Sequence, residues 1–127
     1  MFTENPVDFI EKSSIGIHAV SPDGVIKYAN QFELDILGYS KDEYIGHHVS
    51  EFQIDKDCLS AMMTKLEKFE TLLNYPAKVN GKNQIKYIIY NSSVYESEGE
   101  FIHTRCFGNE VSKEIYDVFY DEYKRRA

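Results

Sequence analysis

The stretch Val25-Ile26-Lys27-Tyr28-Ala29-Asn30-Gln31-Phe32-Glu33-Leu34-Asp35-Ile36-Leu37-Gly38 changes its structural period half-way along. Val25 to Tyr28 reads as a strand. Asn30, with Glu33 three residues on, has the spacing of a capping box, and Phe32, Leu34 and Leu37 then recur at helical separations up to a glycine stop. Just upstream, apolar Ile15 to Val20 is joined to this strand by Ser21-Pro22-Asp23-Gly24, a turn with glycine where positive φ is wanted, so the two runs form a hairpin. A hairpin passing directly into a short capped helix sets the organisation of everything around it.

Before the hairpin, Asn5 followed by Pro6 starts a short lead-in helix containing Phe9 and Ile10. After the capped helix, Ser40-Lys41-Asp42-Glu43 repeats the capping-box spacing and stops at Gly46. From Asp55, the residues Leu59, Met62, Met63, Leu66 and Phe69 fall on one helical face, opposite Lys56, Lys65, Glu67 and Lys68. The period then becomes two: Leu73, Tyr75, Ala77 and Val79, a turn at Asn80-Gly81, the long Tyr/Ile/Val run Ile85 to Tyr95, a turn around Gly99, and Phe101 to Phe107. Pro76 suits an edge strand. Ser112 caps a terminal helix with one stripe of Ile115, Val118 and Phe119, a second of Tyr116, Tyr120 and Tyr123, and a basic end at Lys124-Arg125-Arg126. The expectation is an α+β domain: five antiparallel strands, with helices inserted between the second and third and packed on one sheet face.

Composition narrows the function. The 127 residues carry 14 Lys+Arg against 21 Asp+Glu, a net charge of −7, which does not suit phosphate neutralisation or an anionic membrane surface. No apolar window of about 18 residues occurs, and Glu4, Asp8, Glu11 and Lys12 interrupt any leader. Neither nucleic-acid binding nor membrane insertion is expected, and a cytoplasmic location is. Cys58 and Cys106 have no metal-knuckle spacing and read as reduced thiols. His47 and His48 are adjacent and would diverge by about 100° on a helix, so no metal site is expected there, with or without Asp55 or Asp57. There is no nucleophile elbow or phosphate loop, and a lone His18 or His103 is thin evidence for an enzyme.

The segments Ser21-Pro22-Asp23-Gly24-Val25-Ile26-Lys27-Tyr28-Ala29-Asn30, Leu37-Gly38-Tyr39-Ser40-Lys41-Asp42-Glu43-Tyr44-Ile45-Gly46 and Glu110-Val111-Ser112 resemble the PAS sensory domains of bacterial and archaeal signalling proteins. The resemblance implies a sheet in spatial order 2-1-5-4-3 with a pocket under the helices. It also implies a division into a lead-in helix (1–14), a PAS core (15–111) and a signalling helix (112–127). The function it implies is a sensory and dimerisation module of a signal-transduction protein such as a histidine kinase, acting as a homodimer on an output domain absent from this stretch. The alternative is a stand-alone interaction domain without ligand. Flavin-adduct members place a cysteine where this chain has Val49, and the best-known haem members use a histidine in the long helix, where residues 55 to 70 have none; neither cofactor is expected.

Threading the strands onto that pattern directs His18, Val20, Tyr87, Ile89, Asn91, Thr104 and Cys106 toward the pocket. Tyr75 joins from the edge strand, and Met62, Met63 and Leu66 supply an apolar wall. Buried polar groups in such a set must bond to one another, to water or to a small-molecule ligand. The opposite face, with Ile88, Tyr90, His103, Arg105 and Phe107, together with Phe9 and the stripe of Ile115, Val118 and Phe119, is the expected interface.

Overall fold

The structure, a computed structural model, describes residues 1–126. Helix α1 (Pro6–Glu11) leads into the hairpin β1 (Gly16–Val20) and β2 (Ile26–Ala29), followed by α2 (Gln31–Leu37) and α3 (Lys41–Tyr44). A 3-10 turn (Val49–Glu51) and the long helix α4 (Lys56–Glu67) precede β3 (Leu72–Asn80), β4 (Ile85–Ser97), β5 (Glu100–Val111) and α5 (Lys113–Arg126). The five strands form one antiparallel sheet in the order β2-β1-β5-β4-β3, as expected.

Asn30 is the N-cap of α2, but its amide does more than cap. Oδ1 accepts from the backbone N–H of Ile17 and of Glu33, each at 3.0 Å, while Nδ2 donates to the carbonyls of Ile10 (2.9 Å) and Ile15 (3.0 Å). One buried side chain therefore ties α1, β1 and α2 together, with every donor and acceptor it owns in use.

The segment between α3 and α4 holds both outer edges of the sheet. On the β2 side, Ile26 N–H donates to His47 O, Gly46 N–H to Ile26 O and Val49 N–H to Gly24 O, at 2.8–2.9 Å. On the β3 side, Ile54 N–H donates to Lys78 O (2.8 Å) and Asn80 N–H to Phe52 O (2.7 Å). Cys58 adds a thiol contact to Pro76 O (3.4 Å), on the strand where proline's missing N–H leaves no ladder bond unmade. His47 and His48 serve the same segment: His47 Nδ1 lies 3.1 Å from Glu51, and His48 Nδ1 accepts from Ser50 N–H at 3.1 Å.

Three sequence expectations are corrected. Leu72, not Leu73, enters the core, because a register shift between Leu72 and Tyr75, with Asn74 at φ 56°, reverses the alternation there. Phe69 lies beyond the end of α4 at φ 62° and is exposed, and Cys58 takes a place on the buried face instead. The third concerns β4. Ile88, Tyr90 and Ser92 face the helices and the core, whereas Tyr87, Ile89 and Asn91 lie on the outer face, the reverse of the threaded parity. The register with β5 explains it: Tyr90 stands opposite Gly108, and a Cβ there would meet Tyr90 Cε1 at 2.6 Å and Ile88 Cγ2 at 2.8 Å. The missing side chain is the space those two residues occupy.

Replacing Gly108 by alanine should therefore displace Tyr90 and Ile88 and lower stability by about 1–3 kcal/mol, read as a lower urea midpoint; an unchanged midpoint would show that the notch is not needed.

Candidate functional site

Gly108 pairs across β1 with a second glycine, Gly16. A Cβ on Gly16 would lie 2.4 Å from Glu33 Oε1, so the two facing glycines open one gap in the core face, filled by a carboxylate from α2 and an aromatic ring from β4. Glu33 is 1% exposed. Its side chain does not reach back to the Asn30 backbone to complete a capping box, because Asn30 N–H already donates to Ile17 O at 2.9 Å. It turns inward.

There Glu33 Oε2 lies 2.8 Å from His18 Nδ1, accepts from Tyr44 Oη at 2.9 Å and has Tyr90 Oη at 3.5 Å. The carboxylate oxygen sits off the ring N–H direction, so Nδ1 makes no aligned hydrogen bond and the contact is one of charge. Tyr90 packs edge-on against the imidazole with ring centroids 5.3 Å apart. Burial alone would lower the His18 pKa, but Cys106 and Glu33 outweigh it and hold the imidazole well above its ordinary 6.5. Burial likewise opposes ionisation of Glu33, yet His18, with the Tyr44 and Tyr90 hydroxyls, keeps its carboxyl below 4.5. The two phenols are pushed well above 10, first by burial and then by Glu33, and remain neutral donors. The result is a buried imidazolium–carboxylate pair with two tyrosine hydroxyls turned toward the anion.

Beside the pair is a cavity of about 30 Å³, bounded on the sheet side by His18, Val20, Tyr90, Ser92, Thr104 and Cys106. Val49, Gln53, Leu59, Met62, Met63 and Leu66 close it on the other. Thr104 Oγ1 accepts from Val20 N–H at 2.9 Å and lies 3.2 Å from Cys106 Sγ. Ser92 Oγ has no hydrogen-bond partner.

Of the residues threaded toward a pocket, His18, Val20, Met62, Met63, Leu66, Thr104 and Cys106 line this cavity. Tyr87, Ile89, Asn91 and Tyr75 do not. Tyr87 packs on Tyr116 of α5 (5.0 Å between ring centroids), Asn91 Oδ1 accepts from Asn74 N–H (3.0 Å), and Tyr75 packs on Tyr123 (5.6 Å) in a separate groove between α4, β3 and α5. Of the expected interface residues, Ile88 and Tyr90 are core. Arg105 and Phe107 are exposed on the outer face, His103 is half-buried there beside Tyr95, and Phe9 is exposed on α1. Ile115 and Val118 are 47% and 61% exposed, while Phe119 is half-buried. Sequence reasoning missed Glu33, Tyr44, Tyr90 and Ser92 as members of the site; the glycine at each of two paired strand positions was the available signal.

The PAS fold family matches residues 10–74, just over half of the sequence. The chain belongs to that family. No curated protein matches it. Among solved structures, it is similar to a light-oxygen-voltage domain studied with a flavin analogue (18% identity, TM-score 0.79, 95% of each chain covered). It is also similar to the PAS domain of an HTR-like protein from Haloarcula marismortui (18%, TM-score 0.71, 82% of this chain and 87% of that one). A third is a PAS domain from a two-component sensor histidine kinase (11%, TM-score 0.66, 81% and 90%). At these identities the likeness is one of fold. A flavin does not fit the PAS cavity as its side chains stand: cofactor-sized pockets are roughly 300 Å³ and upward, against about 30 Å³ here. Nor does the 3-10 turn offer a thiol, since Val49 occupies it and Cys58 is turned to Pro76 O. Among the described residues, no group of three His, Cys, Asp or Glu side chains is placed to hold a metal ion, and no helix is long and apolar enough to cross a membrane.

The charge pair fixes a pH signature. His18, whose folded pKa is raised, stabilises fully below about 6.5, and this is lost as pH rises through the folded value; Glu33, whose folded pKa is lowered, stabilises above about 4.5, and this is lost as pH falls through its folded value. The pair therefore contributes most between those limits. Glu33→Gln should cost about 3–5 kcal/mol near pH 6 and should remove the alkaline decline due to His18, measured by urea denaturation from pH 5 to 9; an unchanged decline would refute the pairing.

Proposed function

We propose that this PAS chain is the sensory and dimerisation module of a cytoplasmic signal-transduction protein, such as a histidine kinase. In this reading a small molecule or a partner acts at the cavity, and α5 relays the change to an output domain. The observation that carries it is the path of β5. The same strand lines the cavity with Thr104 and Cys106 and, after Val111, passes through the cap residue Ser112 into α5. α5 is held to its own domain by a tyrosine stripe, Tyr116 against Tyr87 and Tyr123 against Tyr75, while Ile115 and Val118 stay outward for a second helix in a homodimer. A ligand preferred by one arrangement of sheet and α5 would shift their populations. No catalytic turnover is assigned to the PAS chain itself; catalysis would belong to the output domain.

A second reading, a protein-interaction domain without ligand, draws support from the outer face. Arg105 lies over the Tyr95 ring at 5.5 Å, His103 packs on the same ring, and Phe107 is exposed nearby, the residue types that make strong contacts.

Native mass spectrometry of the freshly purified chain should show a dimer, with added mass when the cavity is filled. In a protein carrying an output domain, Val118→Pro should abolish regulation of the output while the PAS core stays folded by circular dichroism. Retained regulation in that variant would overturn the relay, and a clean, ligand-free dimer would favour the second reading.

A further inference from the structure

We propose that Cys106 is a peroxide-reactive thiol, activated by the His18–Glu33 pair and reached through the small cavity that it lines. The strand register brings three side chains into one row. Cys106 of β5 stands opposite His18 of β1 on one side and opposite Ser92 of β4 on the other, and directly opposed residues share a sheet face at about 4.5–5.5 Å between Cβ atoms. All three border the cavity. Glu33 Oε2, 2.8 Å from Nδ1, holds positive charge on the imidazole, and the cross-strand pairing sets that charge beside the sulfur. The order carboxylate, imidazolium, sulfur places a held cation beside the nucleophile, the arrangement that favours a thiolate.

Two observations set this thiol apart. Ser92 is 3% exposed and its Oγ makes no hydrogen bond of ordinary geometry, a buried hydroxyl on the cavity wall beside the Cys106 sulfur. The chain also carries its own contrast in Cys58, which is as deeply buried. Burial, and then Asp55, push the Cys58 thiol up to about 11. Burial pushes Cys106 up as well, but His18, aided by Ser92 and Thr104, brings it below its ordinary value. Thiolate character, rather than exposure alone, separates the reactive cysteine from the inert one.

The cavity selects the electrophile by size. About 30 Å³ has room for about two water-sized groups, which suits hydrogen peroxide and excludes bulky oxidants. Gln53 and Met63, the half-buried members of the lining, mark where it approaches the surface. In the reaction, the Cys106 thiolate attacks one peroxide oxygen, an S–O bond forms and the O–O bond breaks. Sulfur is oxidised to the sulfenic acid, and the departing hydroxide takes the proton held on His18 and leaves as water. The added oxygen remains beside Ser92 Oγ, which supplies the hydrogen bond that it lacked. None of this requires a resident ligand, so it stands or falls apart from the sensory reading above.

The test treats the intact chain with dilute hydrogen peroxide and maps oxygen addition by peptide mass spectrometry, which separates the cysteines from Met1, Met62 and Met63. Cys106 should gain oxygen at least about tenfold faster than Cys58 at the same pH. Glu33→Gln should slow Cys106 and leave Cys58 unchanged. Equal rates, a faster Cys58, or reaction of neither before denaturant is added would each overturn the proposal; because these comparisons use the unaltered protein, a variant that misfolds does not rescue it.

Discussion

Asn30 has one amide and four backbone groups to satisfy with it, and the arrangement of the domain follows from that. Because its Oδ1 takes the N–H groups of Ile17 and Glu33, and its Nδ2 bonds Ile10 and Ile15, α2 is pinned at the start of β1 and cannot swing away. Its own N–H is occupied by Ile17 O. Glu33 is thereby released from the capping role its spacing suggests, and the helix is anchored so that this side chain points into the sheet. A carboxylate in that position is tolerable only with a cation and donors around it, which His18, Tyr44 and Tyr90 provide. The fold and the polar site thus share a single origin at the junction of β2 and α2.

Much of this architecture was legible. The hairpin turn at Ser21 to Gly24, the Asn30 cap, the Met62 and Leu66 face of α4 and the meander each rest on local periodicity or turn chemistry, and the structure has them all. The sheet order came from the family resemblance, and the structure has that order too. The face of β4 was not legible, because Tyr87, Ile88, Ile89 and Tyr90 are apolar or aromatic on both sides and alternation has nothing to discriminate; only pairing with Gly108 decides it. Glu33 was visible as a cap residue, but its inward turn depends on a bond made by another residue. Tyr75 was misplaced for a related reason: the bulge after Leu72 and the arrival of α5 are tertiary events with no local signature.

The aromatic content of α5 gains a clear division of labour. Tyr116 and Tyr123 hold the helix against Tyr87 and Tyr75, so it is packed on the domain without using Ile115 or Val118. Each tyrosine anchor combines a large apolar ring with a polar tip that can bond to water.

The segment that bonds Ile26 on one flank and Lys78 and Asn80 on the other acts as a strap across the mouth of the sheet. Open strand edges are adhesive, and in a crowded cell they recruit other chains into runaway polymer. Here a single stretch of backbone blunts both margins at these positions. The same strap joins the two rims mechanically: a molecule that lifts it from the cavity side loosens both at once, turning a small local displacement into a change felt across the whole width of the sheet.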